Sequence, residues 1–174
     1  QGHTPTYAKL AVMDSDLNAL RTLYDSLDNE DPLRGRIALV SDSIGNGFML
    51  GQLGEDMSLR LSGTSADKRR AVRDVYIAQA LGATLSASNL NALDTYSGAL
   101  SGRQASPFAL LGLRVSSESG AAAQTALRAA TLLGQGGPQS LRADSLAQVL
   151  IALRAAGLNS LAGRVAAEDF LSGA

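Results

Sequence analysis

Leu17, Leu20, Leu23, Tyr24 and Leu27 recur at three- and four-residue steps, which places them on one side of a helix over about residues 15–28. The acidic turn Asp28-Asn29-Glu30-Asp31 ends that helix. Asp31-Pro32 then supplies a side-chain cap and a proline at the first helical position, where no N–H is needed, so a second helix runs from 32 to about 44. Residues 55–61 suit a short helix. Thr64-Ser65-Ala66-Asp67 has the form of a capping box and starts a helix through Val72, Val75, Tyr76 and Leu81, stopped at Gly82. Another short helix is predicted over 88–97. Ser106-Pro107 repeats the cap-and-proline start ahead of Phe108, Leu110, Leu111, Leu113 and Val115.

The last third is the most regular. "GAAAQTALRAATLLGQGG" is an alanine-rich helix whose small side chains permit close helix contact, closed by Gly134, Gly136 and Gly137. "SLRADSLAQVLIALRAAG" sets Leu146, Leu150 and Leu153 on one face and stops at Gly157, and a final helix begins behind Asn159. So short a turn folds the last two helices back as an antiparallel hairpin. The helix-ending glycines Gly45, Gly82, Gly134 and Gly157 are unevenly spaced, so no fixed repeat is present. The predicted organisation is a flexible segment over 1–13 and one all-helical domain over 14–174, with a possible subdivision near 98–106. Seven to nine helices would form an irregular bundle or a short α-solenoid of antiparallel hairpins.

Residues 150–171, "LIALRAAGLNSLAGRVAAEDFL", resemble one unit of the helical-hairpin repeat families such as the tetratricopeptide repeats. Small residues sit where the two helices would cross, while the family's Trp, Tyr and Pro positions find no match. The resemblance implies a packing style and a protein-binding role.

Composition points the same way. Twenty-nine Ala and 29 Leu stand against 11 Val plus Ile, a balance that favours helix over strand. Absence of cysteine excludes disulfides, thiolate zinc sites and cysteine nucleophiles. No apolar run reaches the roughly 18 residues that span a bilayer, and "QGHTPTYAKL" lacks the basic and apolar parts of a signal peptide, so a soluble chain is expected. It begins without Met, which suggests a processed form or a piece of a larger bacterial protein. No compartment is assigned by any of this. Net charge is −1, acidic over residues 1–33 and basic over 34–73, which makes no general case for a nucleic-acid or membrane partner.

Several stretches carry the outline of a site. "VSDSIGNG" resembles the first block of the SGNH or GDSL hydrolases, with Ser41 where that family has glycine, and the resemblance implies Ser43 as a nucleophile beside Asp42. Such a serine needs a base, and the lone histidine is His3; the family's Asp-x-x-His motif is absent. Gly45, Gly47, Gly51 and Gly54 suggest a phosphate loop, yet no Lys or Arg lies between Arg36 and Arg60. The alternative is that Gly45 ends a helix and Phe48, Met49, Leu50 and Leu53 tuck a tight connection onto the core. Asp14, Asp16, Asn18 and Asp25 match ligand places of a calcium loop, but Ala19 occupies the place that needs glycine, and capping by Asp14 or Ser15 accounts for the acids. Lys68, Arg69, Arg70 and Arg73 form a basic cluster, expected as a solvated helix face and, in the alternative, as a weak nucleic-acid contact.

The expectation is a non-catalytic helical scaffold or protein–protein interaction domain, with no cofactor and no metal. Its partner would be another protein or other domains of the same chain. Phe48, Met49, Leu50, Arg69, Arg70 and Arg73 are the candidate interaction surface. A hydrolase-like enzyme using Asp42 and Ser43 is the alternative.

Overall fold

The computed structural model describes residues 4–14, 16–28, 31–44, 64–83 and 100–172, together with residues 87, 90, 91 and 96. Eight α-helices lie among them: α1 Thr4–Asp14, α2 Leu17–Ser26, α3 Pro32–Ile44, α4 Ser65–Ala80, α5 Pro107–Glu118, α6 Ala122–Leu133, α7 Ala143–Ala155 and α8 Asn159–Leu171. A 3-10 turn at Pro138–Ser140 joins α6 to α7. Extended pairing among the described residues is limited to a single parallel bridge, Arg103 to Leu141. The fold is an all-α multi-helix bundle, as the sequence predicts.

The α7–α8 hairpin forms its centre. α8 packs against α3 most extensively and against α1 as well, while α7 carries α4, α5 and α6. Hence the shared core runs through this hairpin. Leu146, Leu150 and Leu153 of α7 are fully buried, as their common face requires, and Ala162, Ala166, Ala167 and Phe170 are their counterparts on α8. Small residues on α8 let neighbouring backbones come close. At Gly163 the approach is closest: a β-carbon there would stand 1.9 Å from the carbonyl oxygen of Ser43. Only glycine fits.

Capping follows the local signals with one correction. Leu33 N–H donates to Asp31 Oδ1 at 2.8 Å, and Thr64 and Asp67 close a reciprocal capping box at the start of α4. Asp16, rather than Asp14 or Ser15, caps α2 by accepting from the N–H groups of Asn18 and Ala19. Asp14 is instead the last residue of α1. Arg34 of α3 lies over the Tyr24 ring of α2 at 4.3 Å, tying these two helices across their turn.

The segment 1–13, expected to be flexible, carries most of α1. Its apolar signal is modest, but Ala8, Ala11 and Val12 recur at helical spacing and are buried, and α1 packs on α2, α3 and α8. Tertiary contact supplies what intrinsic propensity alone does not. The connection 45–63, with its glycines, Phe48, Met49, Leu50 and the helix expected at 55–61, lies outside the described residues. Most of the helix expected over 88–97 does too. No helix among the described residues is long and apolar enough to cross a membrane.

Candidate functional site

The Asp42-Ser43 pair sits in the last turn of α3. A hydrolase nucleophile would follow a strand on a sharp turn; Ser43 instead donates its hydroxyl to the carbonyl of Val40 at 2.7 Å, within its own helix. Its backbone carbonyl is pressed against Gly163. Its hydroxyl is therefore engaged within α3, and its backbone carbonyl lies at the α3–α8 contact. His3 lies outside the described residues.

Asp14, Asp16, Asn18 and Asp25 do not form a loop: Asp14 ends one helix, Asp16 caps the next and Asp25 lies along it. Among the described residues no cluster of three or more His, Cys, Asp or Glu could hold a metal ion.

The basic cluster on α4 divides by helix geometry. Arg69 is exposed and Lys68 half-buried, while Arg73 turns inward and is 9 % exposed. Arg73 donates from Nε and Nη2 to the Asp169 carboxylate at 2.7–3.1 Å, from Nη1 to the Leu141 carbonyl at 2.7 Å and from Nη2 to the Pro138 carbonyl at 2.9 Å. Arg70 pairs with Asp74 at 3.1 Å, approaches Asp169 at 3.6 Å and donates to the Asp169 carbonyl. Two arginines and two aspartates thus form a closed internal network joining α4, α8 and the 138–141 turn. Assigning Arg70 and Arg73 to an interaction surface, or to a solvated face, is corrected on this point. Their charges are neutralised from within, because a buried guanidinium needs a carboxylate and further acceptors. Arg69 alone of the three arginines stays exposed.

Beside this network a shallow cleft is lined by Arg69, Arg73, Tyr96, Leu100, Ser101 and Ala143, with an open volume of about 10 Å³. That is room for one water rather than the several hundred Å³ of a small-molecule site. Below it, Arg142 and Asp144 form an ion pair at the start of α7. The Arg142 guanidinium holds the Asp144 carboxyl below its ordinary range, helped by the Ser145 N–H, with partial burial opposing.

The outer face of α5 differs in character. Leu113, Ser116 and Ser117 face inward, whereas Phe108, Leu111 and Val115 point to solvent with 84 %, 57 % and 56 % of their surfaces exposed. Steps of three and four residues make them a continuous apolar stripe. Leu127 on the neighbouring α6 is 69 % exposed. Among the described side chains, no other helix shows three large apolar residues more than half exposed; α1 shows two, Tyr7 and Leu10. A sequence signal for this face existed: five large apolar residues within eight positions exceed what one buried stripe of a helix accommodates.

Comparison with protein-family models, with curated proteins and with solved structures yields no match, so the geometry of the chain itself carries the functional argument.

Proposed function

We propose that this chain is a non-catalytic helical scaffold that binds a protein, or another domain of the same polypeptide, through the outer face of α5. The observation that carries this reading is the stripe Phe108, Leu111 and Val115. Apolar side chains gain roughly 1.5–3 kcal/mol each when fully buried, and a contiguous row left in water is the usual mark of a docking surface. The inner face of the same helix is held by the core, so the stripe rests on a fixed support. The tetratricopeptide-like α7–α8 hairpin would be that support rather than the recognition face.

A photo-crosslinking residue at position 111 tests the reading, with position 148, an exposed site on α7, as the control. In an extract of the source organism, a discrete protein adduct is expected from 111 and none from 148, and Phe108→Asp with Val115→Asp should remove it. Adducts of equal yield at both positions, or none at either, would sink the proposal.

A further inference from the structure

Charge around the stripe selects among occupants. Between Arg103 and Ser140 the chain holds three arginines, Arg103, Arg114 and Arg128, against one acid, Glu118. Arg114 bridges to Glu118 at 2.7 Å along α5, and Arg103 donates to the Leu132 carbonyl. Arg128 has neither kind of partner among the described residues. Its guanidinium lies across Gly112, with Nη1 2.5 Å from where a β-carbon on that residue would stand. Gly112 falls near the midpoint of the row from Phe108 to Val115, on the side facing α6. An exposed, uncompensated cation therefore borders the centre of an apolar stripe.

We infer that the stripe takes an amphipathic helix whose apolar residues repeat at three- and four-residue steps and whose flank carries a carboxylate for Arg128. This rests on the interaction reading given above and names the partner's chemistry. A helix laid along α5 would bury Phe108, Leu111 and Val115 against its own apolar row, and an Asp or Glu beside that row would meet the guanidinium edge-on. A second copy of this chain is disfavoured by the same charges. A two-fold axis crossing the middle of the stripe would bring Arg128 against Arg128 and Arg114 near Arg114, and like charges so placed are repulsive.

Two synthetic helical peptides with the same leucine face, one flanked by glutamates and the other by lysines, test this by fluorescence anisotropy. The glutamate peptide is expected to bind roughly tenfold more tightly, with the advantage shrinking as salt rises. Arg128→Glu should reverse the preference, and Leu111→Asp should abolish binding of both. Circular dichroism melts of these surface variants check that each is folded. Equal binding of the two peptides, binding of neither, or an unchanged preference in Arg128→Glu overturns the inference. A dimer in sedimentation velocity that Leu111→Asp dissolves would overturn it as well. If neither peptide binds while position 111 still cross-links a protein, the acidic helix is wrong and the interaction surface stands. If both fail, the two fall together.

Discussion

The carbonyl oxygen of Ser43 lies against the α-carbon of Gly163, leaving no room for a side chain between α3 and α8. Alanine is normally the better helix residue by about 1 kcal/mol, so propensity alone would make Gly163→Ala stabilising. Contact reverses the sign. The atoms that the new β-carbon would strike, the carbonyl carbon and oxygen of Ser43, belong to backbone, and relieving the clash means separating the most extensively packed helix pair. Overpacking of this kind costs about 1–3 kcal/mol, so Gly163→Ala is expected to lower Tm by several degrees in a circular dichroism melt. A Tm equal to or above that of the unaltered chain would contradict the described approach.

The Arg73–Asp169 pair gives a second test. Arg73 holds the Asp169 carboxylate and two backbone carbonyls inside the protein, so removing Asp169 strands a buried guanidinium, and removing Arg73 leaves the buried carboxylate with only the more distant Arg70. Arg73→Met and Asp169→Asn should each cost about 3–5 kcal/mol in urea denaturation. The double variant Arg73→Met, Asp169→Asn should lose clearly less than the sum, because neither member of the pair is then left charged and facing an empty partner position. Strict additivity would mean that the two side chains do not act as a unit.

Capping of α2 separates two neighbouring acids. Asp16 accepts from the first-turn N–H groups of Asn18 and Ala19, so Asp16→Ala should cost about 1 kcal/mol. Asp14 ends α1, where a negative charge opposes the helix dipole, and Asp14→Ala should be neutral or slightly stabilising. The reverse order in thermal melts would return the cap to Asp14.

Asp144 sets a pH dependence. Its folded carboxyl is held below the ordinary range by Arg142, so the ionised form is favoured by folding. The resulting stability is present above the ordinary carboxylate pKa near 4 and is lost as pH falls through the lower folded value. Asp144→Asn should flatten the acid limb of a urea-midpoint-versus-pH profile below about pH 4 and leave its shape near pH 7 alone. An identical acid limb in the variant would show that the pair contributes nothing.

Local signals made most helices legible. The Leu146, Leu150 and Leu153 face, the Thr64–Asp67 box and the Asp31-Pro32 start are each contained within a turn or three of helix, where spacing and capping chemistry suffice. Arg73 was not legible in that way. Its partner stands 96 residues away, beyond the reach of any helical spacing or capping signal. A trace existed on α8: Ala162, Val165, Ala166 and Asp169 fall at one helical spacing, which puts a carboxylate on an apolar face. Orientation of α5 was hidden for a different reason. With apolar residues all around its first two turns, periodicity alone does not say which of them meets the core.

The bridge between Arg103 and Leu141 closes the base of the α5–α6 hairpin through backbone groups alone, Arg103 N–H to Ser140 O and Arg142 N–H to Arg103 O. Gly102 beside it packs flush against the Leu141 backbone, where a β-carbon would stand 2.7 Å away. Such a clasp is indifferent to side chains further along the arm. Residues 104–140 are thus a cassette: Leu113 and its inward neighbours answer to α7, while the outward row Phe108, Leu111 and Val115 faces solvent and answers to no part of the core. Substitution can rewrite the outward row, and with it the partner choice proposed above, while the bundle beneath stays unchanged.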